Sequence, residues 1–335
     1  MSALKQKILG VLRGPGASPG KQELAAKLEL AERRISEQEG ELARLREGRS
    51  KGVKPENVVW IFGTARTGST WLAFMMEELE SNTIWREPYV GELFGRLYSQ
   101  WTGEKHAATK HFILGKTRES WTRSIREFVL SEASYRFPNV GENGYLVIKE
   151  PNGSVGAPLM MEALPESRLV FLVRDPRDVV ASSLDAVKKG SWLYERRVED
   201  GAGRTAMFEM QADAYVEKVA KGYAQNVGNV REAYGGHGGP KVLVRYEDLR
   251  ADTLGTMRRL YSDLGIPVDD GALARAVEKH AWENVPAENK GEGKFHRKAR
   301  PGGWREDLTP EQVAVVEELT APFLEEYYGD GGRGS

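Results

Sequence analysis

The strongest constraint on this chain is a repeated alternation of short β-rich runs with helical stretches. "VVWIFG" (58–63) precedes a helix expected from Ser69, and "YLVIK" (145–149) precedes "APLMMEAL" (157–164). "RLVFLVR" (168–174) precedes "PRDVVASSL" (176–184), and "KVLVRYEDL" (241–249) precedes "TMRRLYSDLG" (256–265). Runs that are apolar on both faces are buried on both, which is the pattern of a parallel sheet covered by helices on each side. Ligands of such sheets bind beyond the carboxyl ends of the strands. Those ends carry Thr64 to Thr70, Lys149 with Glu150, Arg174 with Asp175, and Tyr246 with Glu247, so the chemistry is expected there.

The flanks of this region read differently. Residues 1–20 read as a flexible N-terminus in which Leu4, Ile8, Leu9, Val11 and Leu12 give a weak apolar face that could touch a membrane surface. Residues 21–48 form a helical coiled-coil segment: Leu24, Leu28, Ala31, Ile35, Gln38, Leu42 and Leu45 recur at alternating spacings of four and three, a seam for a possible homo-oligomer. "REGRSKGVKPEN" is a linker, and the main domain is expected over 53–328. It closes on a helix from Pro310 to Tyr327, opened by the capping box of Thr309 and Gln312. With 48 basic and 49 acidic residues the net charge is −1, so no global field draws the chain to nucleic acid, and an anion site must come from local clustering. There are no cysteines, and the 5 histidines form no metal-like doublet. No stretch reaches the roughly 20 apolar residues of a membrane span, and a cytoplasmic location is the default.

"GTARTGSTWL" (63–72) links the first strand to its helix, with Gly63 and Gly68 at P-loop spacing. Glycines there let backbone amides face an anion at a helix N-terminus. An NTPase would need Lys after Gly68 and a metal-binding acid at a second strand end. Ser69 stands in place of that lysine, and Glu150 and Asp175 are each preceded by a cation, Lys149 and Arg174. That suits charge neutralisation without metal. A nucleotide kinase or NTPase, or a non-catalytic nucleotide-binding scaffold, are the alternatives.

"RTGSTW" together with "VFLVRDPRDVVASSL" resembles the two cofactor motifs of sulfotransferases that use 3′-phosphoadenosine 5′-phosphosulfate (PAPS). The resemblance implies a P-loop-like α/β three-layer sandwich with a central parallel sheet, and an enzyme that moves a sulfuryl group to a hydroxyl acceptor. It implies that Arg66, Thr67, Gly68, Ser69 and Thr70 bind the 5′-phosphosulfate, and that Arg174 and Ser182 bind the 3′-phosphate. Ala65 stands where the family usually has Pro. By the same likeness Tyr246 reaches the adenine, Trp71 and Trp282 stack on it, and Arg297 with Lys298 closes over the 3′-phosphate, although Ala299 replaces the family's glycine.

In-line sulfuryl transfer needs a base at the acceptor and positive charge on the leaving side. Arg66 and Lys149 can supply the charge. Pro151 occupies the position where many small-molecule members carry a His base, so a carboxylate is expected, as in carbohydrate and tyrosyl-protein members: Glu87 first, Glu150 next, Glu92 third. Trp85 and Tyr89 are expected to wall Glu87 and raise its proton affinity. Acceptor contacts are expected from 88–143 and 188–206, with Trp101, Trp121, Tyr135 and Trp192 for stacking and Arg118, Arg123 and Arg126 for an anionic group, although three Arg at helical spacing also suit a solvated face. The favoured acceptor is a glycan or a sugar-bearing or small metabolite.

Overall fold

A computed structural model describes residues 52–102, 114, 115, 117–140, 143–199, 207–294 and 298–329, with scattered positions between 18 and 40. The chain divides between Gly52 and Val53 into two units. In the first, described positions from Pro19 to Gly40 are helical, two residues earlier than expected, and Leu24 and Ile35 stand exposed on that helix. Leu42, Leu45 and the apolar residues of the first turns lie outside the described residues.

The second unit contains strands β1 (Val58–Phe62), β2 (Asn82–Arg86), β3 (Tyr145–Lys149), β4 (Arg168–Val173) and β5 (Lys241–Arg245). Its helices are α1 (Ser69–Glu77), α2 (Val90–Thr102), α3 (Arg118–Arg136), α4 (Ala157–Ala163), α5 (Pro176–Ala186), α6 (Trp192–Glu199), α7 (Ala212–Gly236), α8 (Tyr246–Ala251), α9 (Thr253–Asp263), α10 (Asp270–Lys279), α11 (Trp304–Asp307) and α12 (Pro310–Tyr328). The five strands pair in the order β2-β3-β1-β4-β5, all parallel.

Strand periodicity decides which core each side chain joins. Val58, Trp60 and Phe62 of β1, with Leu146 and Ile148 of β3, face one core, shared with α2, α3, α4, α7 and α12. Val59 and Ile61, with Val147, Val170 and Leu172, face the other, shared with α1, α9 and α10. Both faces are therefore covered, and truncating a central residue such as Ile61 to Ala would cost about 2–5 kcal/mol.

Register aligns the strand ends. Arg86 pairs with Lys149, Ile61 with Lys149, Phe62 with Phe171, and Val173 with Arg245. The residues that follow, Glu87, Glu150, Gly63, Arg174 and Tyr246, therefore emerge along one edge of the sheet. Sequence reading missed β2 because "NTIWR" is a short edge strand with polar ends, its interior only half-buried. "KVLVRYEDL" divides differently from the expectation: the strand stops at Arg245 and Tyr246 opens α8. The closing helix runs one residue further than expected, and both halves of its capping box are formed.

Candidate active site

The turn after β1 is shaped by two left-handed residues, Arg66 (φ 70°) and Gly68 (φ 89°). Conformations of this kind turn successive amides to one side and make an anion-binding nest, here at the start of α1, where the first amides have no intrahelical carbonyl to bond. Gly68 lies on the Tyr246 ring so closely that a Cβ would stand 2.6 Å from it. Thr67 Oγ1 donates to the Thr64 carbonyl at 2.8 Å, and Ser154 Oγ donates to the Gly63 carbonyl at 2.6 Å, fixing the turn from inside and below.

The second expected motif meets this turn. Arg66 Nε donates to Ser182 Oγ at 3.0 Å, and Arg174 donates to the Arg66 carbonyl at 2.9 Å. The Arg174 guanidinium lies 4.3 Å from the centroid of the Tyr246 ring, and its buried Nε has no partner. Its nearest carboxylate is Asp178, 3.9 Å away, which is already occupied by the amides of Gly302 (2.7 Å) and Trp304 (3.0 Å). Those bonds anchor the 298–304 segment over the start of α5. Lys298 sits there, ion-paired with Glu306 and Asp307, whereas Arg297 lies outside the described residues. Trp71 stands edge-on to Tyr246 (centroids 6.3 Å, 69°), with its Nε1 bonded to the His280 carbonyl at 2.8 Å. Trp282 follows two residues later, half-buried beside Lys290. Arg66 points toward Trp192 and buried Tyr215 rather than toward Lys149; burial raises the Tyr215 phenol and the Arg66 charge opposes that rise.

At the other end of the edge, Lys149 is almost fully buried and reaches in two directions. Its ammonium donates to Thr70 Oγ1 at 3.2 Å and is ion-paired with Glu87. Asn152 donates to the second Glu87 oxygen at 3.2 Å, and the Tyr89 hydroxyl approaches it at 3.5 Å. Glu87 (φ 49°) and Tyr89 (φ 59°) are both left-handed, a strain of about 1–3 kcal/mol each that neighbouring structure must hold. The expected aromatic wall is corrected on one side: Trp85 is engaged with Phe137 and Arg136 and leaves the carboxylate to polar partners. Arg86 pairs with Glu77, not Glu87.

Glu150, one residue beyond Lys149, is 0% exposed, and among the described residues no side chain bonds its carboxylate. Burial pushes this carboxyl up to about 8; Glu87 and Glu92 add to the rise, and the amides of Tyr89 and Val90 at the start of α2 oppose it. A Cβ on Gly153 would meet the Glu150 side chain, and one on Gly91 would meet the Gly153 backbone, so neither position has room for one. Glu92 is ion-paired with Arg96 on α2. Among the described residues no group of three or more His, Asp or Glu is placed to hold a metal ion, and no helix is long and apolar enough to cross a membrane.

The model of the sulfotransferase family matches residues 59–270, from β1 to the start of α10. The chain belongs to the sulfotransferase family. Cytosolic sulfotransferase 17 of Arabidopsis thaliana is 26% identical over 198 residues, 51% of this chain and 54% of its own length. Cytosolic sulfotransferase 16 of the same plant is 26% identical over 206 residues, so the match spans about half the length of these curated relatives. Two solved structures share the fold. A mouse sulfotransferase complexed with PAP covers 86% of this chain and 91% of its own at TM-score 0.52 and 16% identity. A sulfotransferase from Mycobacterium avium covers 93% and 87% at 0.51 and 15%.

In this sulfotransferase-family chain the segments expected to meet an acceptor are mostly committed elsewhere. Trp121 is fully buried, Trp101 packs against the same core, and Tyr135 is exposed. Arg118 and Arg126 form bidentate pairs with Glu162 and Glu166 at 2.6–2.9 Å, clamping α3 to α4 and the turn after it, while Arg123 is exposed. Trp192 contacts Arg66. A cleft of about 300 Å³ takes Tyr89, Glu92 and Arg96 from the expected 88–143 segment and joins them to Asn152, Val155 and two residues of α7, Gln225 and Asn226. Sequence reading did not single out Gln225 or Asn226; polar positions inside a 25-residue helix look like solvated surface.

Proposed function

We propose that this chain transfers a sulfuryl group from PAPS to a hydroxyl of a glycan or of a sugar-bearing or other small metabolite, without a metal. The observation that carries this reading is the position of Lys149, whose ammonium touches both Thr70 of the anion-binding turn and Glu87. One cation thus joins the donor end of the site to the candidate base.

The residues present suit the donor. A buried Arg174 Nε without a partner is an orphan that a 3′-phosphate would satisfy, next to Ser182. Trp71, half-buried, offers an aromatic ring for a base with Arg250 5.5 Å over it, and Tyr246 packed edge-on beside it is kept as the residue that reaches the adenine. Lys298, with Arg297 on the same segment, is assigned to the 3′-phosphate side, and Trp282 to the adenine.

The donor supplies an electrophilic sulfur whose bond to the 5′-phosphate oxygen breaks as the acceptor oxygen bonds to it. Glu87 takes the acceptor's proton. Lys149, Thr70 and the amides of 66–70 take up the charge that develops on the phosphate side, with Arg66 holding the turn against Ser182. Glu150 and Glu92 are assigned no proton from the acceptor: one is sealed from it, and the other pairs with Arg96 on α2 rather than with the lysine that touches Thr70.

The test is labelled-sulfate transfer from PAPS to a broad acceptor panel, with calorimetry of PAP in EDTA. Metal-independent binding together with transfer that Glu87→Gln abolishes is expected. No binding of PAP would reject the reading. The same reading takes the cytosol as the setting, as the names of the curated relatives do. It takes the helix carrying exposed Leu24 and Ile35 as a coiled-coil seam between two copies, so Leu24→Glu with Ile35→Glu should halve the mass measured by light scattering.

A further inference from the structure

The cleft beside Glu87 has a lining that narrows the acceptor further. Two of its residues, Asn152 and Tyr89, also contact the Glu87 carboxylate, at 3.2 and 3.5 Å, so the cleft adjoins that carboxylate. Opposite stand Gln225 and Asn226, adjacent on α7, whose side-chain amides have no protein partner among the described residues. Each amide offers one acceptor oxygen and a two-hydrogen donor, the complement of two neighbouring hydroxyls that each give and take a bond. Tyr89 is 49% exposed at the rim of the lining.

What the lining lacks matters equally. Val155 is its one aliphatic residue. A flat apolar acceptor would find little to pack against and would bury amides without partners, at a cost of about 1–3 kcal/mol each. The charged residues of the lining, Glu92 and Arg96, are paired with each other, and Lys149 is taken by Glu87. Among the described residues of the lining no net charge is left to favour an anionic acceptor. At about 300 Å³ the cleft is at the small end of ligand sites.

We propose that this cleft is the acceptor site and that Asn152, Gln225 and Asn226 read a neutral ring bearing vicinal hydroxyls, the chemistry of an uncharged sugar. The inference rests on the sulfuryl-transfer reading above. Gln225 and Asn226 set specificity; they touch the acceptor and not the donor.

The experiment uses the full chain loaded with PAP, after calorimetry has shown that PAP binds. Saturation-transfer NMR then compares methyl β-D-glucopyranoside and cellobiose with 2-naphthol and glucuronate, and labelled transfer from PAPS is measured on whichever bind. Neutral sugars are expected to bind and to accept sulfate. Gln225→Leu and Asn226→Leu, which keep helix propensity, should each raise the sugar KM about tenfold, as expected for one lost bond pair. Their kcat, PAP affinity and melting temperature should stay near the parent values. Binding of 2-naphthol or glucuronate in place of neutral sugars overturns the proposal, and so does an unchanged sugar KM in both variants. If PAP binds and no neutral sugar does, this inference alone falls; if PAP fails to bind, the sulfuryl-transfer reading falls and takes it along.

Discussion

The two ends of the sheet edge are built on opposite plans. Beyond β1, β4 and β5, the residues lock onto one another: Arg66 on Ser182, Arg174 on the Arg66 carbonyl and over Tyr246, and Gly68 flat against the same ring. Beyond β2 and β3, two carboxylates, one paired with Lys149 across the strand ends and one following it in the chain, live in opposite states. Glu87 is a third exposed, ion-paired and held in a strained backbone, whereas Glu150 is sealed and has no ion-pair partner among the described residues. A donor that is the same molecule in every turnover suits a preformed rigid grip. An acceptor hydroxyl must approach, lose a proton and leave, which suits an open carboxylate supported from below.

If that division is real, substitutions on the two sides should separate cleanly. The largest effect is expected from Glu87→Gln, which should lower kcat by about 10²–10⁴ while the PAP affinity measured by calorimetry changes less than about twofold. Equal loss of PAP binding would mean that the two regions are one. Glu150 comes next, and it acts on stability. Its carboxyl is neutral in the folded chain up to about 8 but ionises in the unfolded chain above about 4.5. The folded state therefore holds more protons across that window, and stability falls as pH rises through it, levelling off above 8. Glu150→Gln should be nearly silent at pH 4.5 and gain on the parent by on the order of 4 kcal/mol at pH 8.5, read as a widening gap in melting temperature.

On the donor side, Arg174→Ala should weaken PAP binding about 10–100-fold, with Arg174→Lys restoring only part because it lacks the planar fork. The kcat with saturating donor should fall far less than in Glu87→Gln. Gly68→Ala sharpens the contrast with the smallest expected change. Its φ of 89° and the Tyr246 ring at 2.6 Å leave a methyl no place, so a loss of about 1–3 kcal/mol in thermal unfolding should accompany weaker PAP binding.

The same contrast explains what could be read from the chain. The donor end is written in contiguous stretches, "RTGSTW" and "RDPRDVVASS", where a strand end, a turn and a helix start lie within a dozen residues. The sheet was legible for a similar reason, since β1, β3 and β4 are apolar nearly throughout. The end assigned to the acceptor is not local. Its cleft joins the start of α2, the turn after β3 and the middle of α7, and no spacing in the sequence brings Gln225 near Asn152. Arg118 and Arg126 show the limit from the other direction. Their helical spacing suits a ligand surface or a solvated face, and only the placement of Glu162 and Glu166 on neighbouring elements reveals a clamp. Trp121 is similar, because aromatic composition does not distinguish a stacking platform from core. β2 was overlooked because edge strands tolerate polar ends, yet it delivers Glu87.

A crystal structure of the full chain with adenosine 3′,5′-bisphosphate bears most directly on the donor grip. The 5′-phosphate should lie against the amides of 66–70 within reach of Lys149, and the 3′-phosphate should bond Arg174 Nε and Ser182. A nucleotide bound elsewhere, or one that leaves Arg174 Nε still without a partner, would contradict it.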